Sequence, residues 1–125
     1  MRKHFMICVD NRGYESSLEI RKLYEMLTDR AAEKHHQIRV IDESGSTVEI
    51  NLWKLPKPTE DKPHGYKYSL VYIVENERII GYDNAESKGD HAHIRGTVKP
   101  YKFIDIWKLI QDFYKDIEKF KRGEL

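Results

Sequence analysis

A segment of thirteen residues, 81–93, concentrates the side chains that can do chemistry in this chain. It contains two histidines, His91 and His93, separated by one residue, and two aspartates, Asp83 and Asp90. If the histidines lie on a strand, both imidazoles point to one face, because strand side chains alternate. Imidazoles exchange protons near neutral pH, so this His pair can act as general base and general acid. The two aspartates can orient the rings.

Cationic and aromatic residues near the His pair fit a substrate that carries phosphate. Lys88 and Arg95 can neutralise a phosphate and the charge that develops on it during cleavage. Tyr82 can stack on a base, as exposed aromatic residues do when proteins bind single strands. These residue types together favour RNA binding and cleavage.

Three other interpretations of the same residues remain open. In the first, one turn forms at Asp83, a second forms at Gly89, and the histidines are surface residues. In the second, the protein binds a partner through its sheet edge or terminal helix, without turnover. In the third, Asp90, His91 and His93 hold a zinc ion with one open position, although ligands so close in sequence need a distorted loop. RNA handling is the leading functional interpretation, with cleavage by the His pair without a metal or cofactor as its catalytic form.

Composition limits the class of protein. Lys and Arg number 22 against 21 Asp and Glu, so the formal net charge is only +1 and any surface for nucleic acid must be local. A single cysteine, Cys8, excludes an internal disulfide and fits a reducing cytoplasm. No apolar run approaches the roughly 18 residues that span a membrane, and the first apolar run is too short for a signal peptide. We therefore expect a cytoplasmic protein with no membrane partner.

Alternating apolar and polar residues predict a series of short strands that turn back on one another. The predicted strands are 5–9, 38–41, 47–53, 66–74, 78–83 and 91–94. Turns are expected at 42–46, 75–77 and 95–96, and a loop at 56–65, which holds three of the four prolines. Residues 101–103 lead to the last element.

The region before residue 38 is less regular. Residues 18–27 alternate like a strand but also fit one helical face, and the alternation favours a strand. Residues 28–35 resemble a short helix, with Thr28 as its N-cap. His35 and His36 follow at its end, where we expect solvent-exposed side chains.

The last element is predicted to be a helix that faces the core. Apolar residues recur at 106, 110, 113, 117 and 120, which is the stripe of an amphipathic helix. Asp105 is a suitable N-cap, and basic residues followed by Gly123 mark the end. The predicted fold class is therefore α+β: an antiparallel β-sheet packed against a C-terminal amphipathic helix, with an N-terminal β/α extension. We expect 1–37 to be an extension that packs on the same core and 38–125 to be the main α+β domain.

From about Ile38 onward the chain resembles the TumE family, the toxin half of a group of prokaryotic toxin–antitoxin pairs. The resemblance is carried by 40–46, 52–56, 66–68, 81–84, 88–91 with His93, and 100–103. It implies a toxin with a cognate antitoxin as partner, while RNA cleavage is our inference from the residue types. Ala92 stands where the family usually has Arg, and Ser87 where it often has Gly. The absence of that arginine weakens a phosphate-handling role.

The first 45 residues resemble a different family of small, uncharacterised prokaryotic proteins. Residues 8–15, 17–24 and 39–45 carry this second resemblance, which overlaps the first at 40–45. The chain therefore resembles a composite joined through a shared hairpin. The predicted function is a toxin that acts on RNA, and the alternative is a non-catalytic antitoxin or inhibitor that works through protein contacts.

Overall fold

The computed structural model describes residues 3–8, 21–25, 35–41, 45–85 and 89–125, with the backbone alone for 3–8. Seven strands form one sheet in the order of the chain. They are β1 (Lys3–Cys8), β2 (His35–Ile41), β3 (Thr47–Lys54), β4 (Tyr66–Val74), β5 (Glu77–Asp83), β6 (His91–Ile94) and β7 (Thr97–Pro100). The C-terminal helix spans Ile106–Lys121. Strands β2 to β7 are antiparallel to their neighbours, and β1 pairs with β2 in parallel.

The predicted α+β class is confirmed, and the strand alternation explains why. On β3 and β4 every second residue is buried, and these buried residues face the C-terminal helix. The helix buries the predicted stripe, with Phe113 fully buried and Ile110 almost so. Phe120, the last residue of the stripe, is only partly buried. One face of the sheet therefore carries the core.

The ends of the helix follow the sequence signals. The Asp105 side chain accepts a hydrogen bond from the Lys108 backbone N–H at 2.7 Å, as an N-cap does. Gly123 has a φ of 75°, in the left-handed region that glycine adopts without strain. Two basic residues lie in the last turn. The local chemistry of both ends was therefore readable from the sequence.

Residues 21–25 are helical, so the strand favoured for 18–27 is wrong over this part. Parallel strands such as β1 and β2 need a crossover connection, and a helix usually supplies it. Leu23 is buried while Arg21 and Glu25 are exposed, as expected for a helical face. Tyr24 packs edge-on against Trp107, with ring centroids 5.3 Å apart. This contact places the segment on the same side of the sheet as the C-terminal helix.

His35 and His36 belong to β2 and are buried, which corrects the expectation of exposed side chains. The reason is that β2 has a neighbouring strand on each side. The His35 ring stacks on Trp53 with centroids 4.4 Å apart, and its Nε2 lies 3.2 Å from the Asn51 side-chain oxygen. The helix predicted for 28–35 otherwise lies outside the described residues, as does most of the turn predicted at 42–46.

The last antiparallel pairing, of β6 with β7, contains a strand that the sequence pattern did not indicate. β7 has four residues, all exposed, and it is an edge of the sheet. Its single large apolar residue, Val98, is 58% exposed. A strand without a buried face carries no apolar alternation, so periodicity cannot detect it.

No helix among the described residues is long and apolar enough to cross a membrane.

Candidate active site

The His pair lies on the face of the sheet opposite the C-terminal helix. In the register of β5 and β6, Asp83 is opposite His91, Gly81 is opposite His93, and Tyr82 is opposite Ala92. Ala92 and Tyr82 are buried on the helix side. Because strand side chains alternate, Asp83, His91 and His93 share the other face. The strand predicted for 91–94 and the shared face of the two imidazoles are confirmed.

The Asp83 carboxylate contacts both imidazoles. Its Oδ1 lies 2.8 Å from Nε2 of His91, and its Oδ2 lies 3.8 Å from Nε2 of His93. The two rings meet edge-on, with centroids 4.9 Å apart. All three side chains are partly buried, so the group is reachable from solvent but not fully hydrated.

The second nitrogen of His91 is fixed by the backbone. Nδ1 lies 3.0 Å from the carbonyl oxygen of Gly89. A carbonyl can only accept, so Nδ1 must carry the proton and donate it. Gly89 has a φ of 75°, which favours glycine at this position. The turn therefore sets the tautomer of His91 and points its Nε2 at Asp83.

Asp90, predicted to orient the His pair, instead anchors a separate buried network. Its Oδ1 accepts from the Tyr68 hydroxyl at 2.6 Å and from Asn84 Nδ2 at 3.3 Å. His64 Nε2 lies 3.1 Å from the same oxygen. We call this group the Asp90 network: Asp90, His64, Tyr68 and Asn84. The aspartate that contacts the imidazoles is Asp83.

The Asp90 network holds the two ends of the motif in place. Asn84 is fully buried, and its side chain also accepts from the Tyr68 backbone N–H at 3.0 Å and donates to the Tyr66 carbonyl at 2.9 Å. The Asp90 carbonyl accepts from the Tyr101 N–H at 3.0 Å. Buried polar groups that are fully paired rigidify their surroundings. The network thus fixes the chain on both sides of the loop between Asp83 and the His pair.

His64 is the residue of this network that the sequence analysis missed. It lies in the proline-rich loop, and 26 positions separate it from Asp90. Its Nδ1 accepts from the Tyr66 backbone N–H at 3.2 Å, so Nε2 carries the proton given to Asp90. Its ring stacks on Phe103 with centroids 3.9 Å apart. Nothing in the local sequence signals this pairing, because the loop and β6 meet only in the folded sheet.

Burial keeps the hydroxyl of Tyr68 protonated. Loss of solvent, followed by the hydrogen bond to Asp90, raises the pKa of Tyr68 above its ordinary value of 10.0. The hydroxyl therefore stays protonated and remains a donor. It serves the network and is not a base.

Tyr82 does not join the site, which corrects its predicted role in base stacking. It is 4% exposed, and its hydroxyl donates to Asp116 on the C-terminal helix. Its ring packs edge-on against Tyr101 and Phe113, with centroids 5.0 and 5.9 Å away. A ring enclosed in this way has no face available for a base. The alternation of β5 sends Tyr82 to the core and Asp83 to the site.

Of the two predicted phosphate-binding cations, Arg95 is not brought to the His pair. Arg95 lies in the turn between β6 and β7, and its guanidinium carbon is 5.6 Å from the centroid of the Phe120 ring. Lys88 lies outside the described residues. Arg78 takes a position that the sequence analysis did not consider. Its Cδ would lie 3.3 Å from a Cβ added at Gly81, so it lies over Gly81, which is opposite His93.

A groove of about 340 Å³ opens beside the His pair. It is lined by Asp90, His91, His93, Val98, Lys99 and Pro100. Val98 and Pro100 are opposite His93 and His91 and contribute apolar surface, whereas Lys99 is opposite Ala92, so strand alternation puts its side chain on the helix side. The groove is large enough to admit a phosphodiester and its neighbouring sugars, since small-molecule sites begin at roughly 300 Å³.

Comparison with known proteins gives one match. A family model described as Toxin TumE matches residues 16–121, which is most of the chain. The match begins before Ile38 and so includes the helical segment 21–25 and β2 as well as the site. No curated protein and no solved structure matches the chain.

Proposed function

The chain belongs to the TumE toxin family, and from that premise we propose that it is a toxin of a toxin–antitoxin system that acts on RNA in the cytoplasm. We propose further that it is a metal-independent endoribonuclease whose proton transfers are made by His91 and His93. The observation that carries this proposal is the contact of one carboxylate with two imidazoles beside an open groove.

The reaction class follows from the chemistry of RNA. One imidazole removes the proton from a 2′-hydroxyl, and that oxygen attacks the adjacent phosphorus. The bond from phosphorus to the 5′-oxygen breaks, and the other imidazole protonates that oxygen. The products are a 2′,3′-cyclic phosphate and a 5′-hydroxyl end. Asp83 orients both rings and stabilises positive charge on them.

A cation beside the His pair supports phosphate binding. Arg78 lies over Gly81 on the same face as the His pair. A guanidinium in this position can contact a phosphate next to the scissile bond. Lys88, two positions before Asp90 in the sequence, remains a further candidate.

The polar face of the sheet supports a path for a single strand. Asn51, Ser69, Asp83 and His91 lie in one row across β3 to β6, and each is partly exposed. Trp53 lies on this face, with Lys67 Nζ 5.0 Å from its ring centroid. The His35 ring stacks on the same indole, so Trp53 supplies an aromatic edge to this face and the Lys67 ammonium supplies positive charge. Grooves that bind single strands carry such positive charge along the path of the backbone.

The decisive experiment compares RNA cleavage by the purified protein and by its histidine variants, in the presence of a chelator. We expect His91→Gln and His93→Gln each to lower the cleavage rate by about 10²–10⁴-fold, the range for loss of general acid–base catalysis. The double variant should lose little more than either single one, because the two rings act as a unit. Lys115→Gln, an exposed change on the helix, is the control and should keep full activity.

The same assay separates catalysis from the alternative of stoichiometric binding. A catalytic toxin should cleave many RNA molecules per protein molecule and arrest bacterial growth when its synthesis is induced. If the double histidine variant folds normally and still arrests growth as fully as the parent, the proposed mechanism is wrong. Activity that saturates at one RNA per protein would favour the non-catalytic alternative.

A further inference from the structure

We infer that Asp83, His91 and His93 form a binding site for one divalent transition-metal ion such as Zn²⁺, and that a bound ion stops proton transfer by the His pair. The inhibitory part rests on the proposed function. The binding part stands on the geometry alone.

The three side chains have the spacing that a small metal site needs. One ligand atom from each lies within 4.8 Å of the others. Two ligands of a tetrahedral zinc ion, each at about 2.0–2.2 Å from the metal, lie about 3.4 Å apart. The observed distances from Asp83 oxygens to the two Nε2 atoms, 2.8 and 3.8 Å, lie on either side of that value. Side-chain shifts of about 0.5 Å would bring both of these distances to that value.

The tautomer of His91 is the second, independent observation. Nδ1 donates to the Gly89 carbonyl, so the neutral ring presents the lone pair of Nε2 toward Asp83. A lone pair that faces a carboxylate at 2.8 Å needs a positive species between them, either a proton or a metal ion. Metal-bound histidines commonly donate their other N–H to a backbone carbonyl, which fixes the ring as seen here.

The ligand set selects the kind of metal. Two imidazoles and one carboxylate suit Zn²⁺ and related transition-metal ions. Mg²⁺ and Ca²⁺ prefer sites made entirely of oxygen ligands. The Asp90 network is not part of this set, because Asp90 is already held by Tyr68, Asn84 and His64. Asp83 therefore takes the ligand role that the sequence analysis considered for Asp90.

The groove beside the His pair leaves one side of the site open to solvent. A fourth position can then be filled by water or by a phosphate oxygen. An ion held by the Nε2 atoms of both rings occupies the lone pair that the base needs and replaces the proton that the acid delivers. Metal binding and proton transfer by the His pair are therefore mutually exclusive.

The binding test uses the full chain without a histidine tag, titrated with Zn²⁺ in the absence of RNA. We expect one ion per chain, and we expect affinity to fall at least about tenfold in His93→Gln and in Asp83→Ala. Glu60→Gln removes one exposed carboxylate outside the set and is the matched control, so its affinity should equal that of the parent. Mg²⁺ should not compete. Co²⁺ should give the visible absorption of a tetrahedral complex in the parent and lose it in His93→Gln.

Two results would overturn the metal site. One is a parent protein that binds no Zn²⁺ at micromolar free metal. The other is binding that survives both His93→Gln and Asp83→Ala in variants whose circular dichroism shows a native fold. Equal loss in the Glu60→Gln control would likewise move the site elsewhere.

The inhibitory part is tested by RNA cleavage with added Zn²⁺ and again after a chelator. We expect cleavage to stop when the site fills and to return when the ion is removed. Cleavage that increases with Zn²⁺ would overturn the inhibitory role while leaving the site intact. Zinc binding in a protein that cleaves no RNA with or without the ion would overturn the proposed function but not the site.

Discussion

Asp83 and His91 lie directly opposite each other on β5 and β6, and their Oδ1 and Nε2 atoms are 2.8 Å apart. The pair joins two segments that the loop between them separates in sequence. It depends on strand register, since a shift of one strand by one residue would turn its side chain to the other face and separate the pair. The pairing of the two strands therefore creates the candidate active site.

The carboxylate of Asp83 should be needed for activity more than for stability. Asp83→Asn keeps the shape of the side chain but removes the charge that stabilises a protonated imidazole. We expect RNA cleavage to fall by about 10²-fold with little change in the free energy of unfolding. Asp105→Asn is the matched control, because asparagine is an equally good N-cap and the residue is far from the site in sequence. Equal activity of the two variants would remove Asp83 from the mechanism.

An arginine at position 92 should harm this protein and not restore phosphate binding. Ala92 is 1% exposed and lies opposite the buried Tyr82, so its side chain points away from the groove. Ala92→Arg would force a long charged side chain into the core and should cost at least about 2 kcal/mol of unfolding free energy. Chemical denaturation measures this cost. A more active and equally stable variant would contradict the packing described here.

Val98 is the position at which an added cation would face the groove. It is 58% exposed and lines the groove. Val98→Arg should leave stability within about 0.5 kcal/mol, as expected for an exposed substitution, and should strengthen RNA binding. The gain should shrink as salt rises. Binding that is unchanged at low salt would show that RNA does not enter the groove from this side.

The core between the helix and the sheet is centred on Phe113, which is fully buried. Phe113→Ala should lower the free energy of unfolding by about 3–5 kcal/mol, the usual range for a buried phenylalanine. Ile104→Ala is the control, because Ile104 is 59% exposed and should cost less than about 0.5 kcal/mol. Urea denaturation of both variants gives the comparison. Similar losses in the two would mean that the helix does not cover the sheet as described.

Alkaline pH should destabilise the fold through its buried tyrosines. Burial, followed by hydrogen bonds to Asp116 and Asp112, raises the pKa values of Tyr82 and Tyr101 above their ordinary 10.0. Above pH 10 the unfolded chain loses these protons while the folded protein keeps them, so the free energy of unfolding falls as pH rises. Below pH 10 both states are protonated and this contribution is fully present. Tyr82→Phe should show a shallower fall above about pH 10, and parallel curves would contradict the assignment.

Residues 1–37 should behave as part of one core with 38–125. β1 pairs with β2 from Lys3–His36 to Cys8–Ile41, and Leu23 is buried. About 37 residues with one short apolar run bury too little surface to fold alone. Removing them should therefore weaken cooperative unfolding of the remainder. A stable proteolytic fragment that starts near Ile38 and unfolds like the whole chain would contradict this prediction.

The sequence by itself determined the elements whose side chains repeat with a clear period. The C-terminal helix, the strands β3 and β4 and the shared face of His91 and His93 all follow from spacing alone, because a helix and a strand each place residues on a face by a fixed period. Positions outside such a pattern were not predictable. β7 has no buried face, so it shows no apolar alternation. Residues 21–25 fit both the helical and the strand period. The helix forms there because β1 and β2 pair in parallel and need a crossover connection.

Only the tertiary structure decided which residues meet at the site. Asp90 is adjacent to His91 in the sequence and Asp83 lies eight positions before it, yet strand register gives the imidazoles to Asp83 while Asp90 turns to His64. Tyr82 and Asp83 are neighbours in the chain, yet pleating sends Tyr82 to the core and Asp83 to the His pair. These choices depend on contacts between distant segments, and a local pattern carries no information about them.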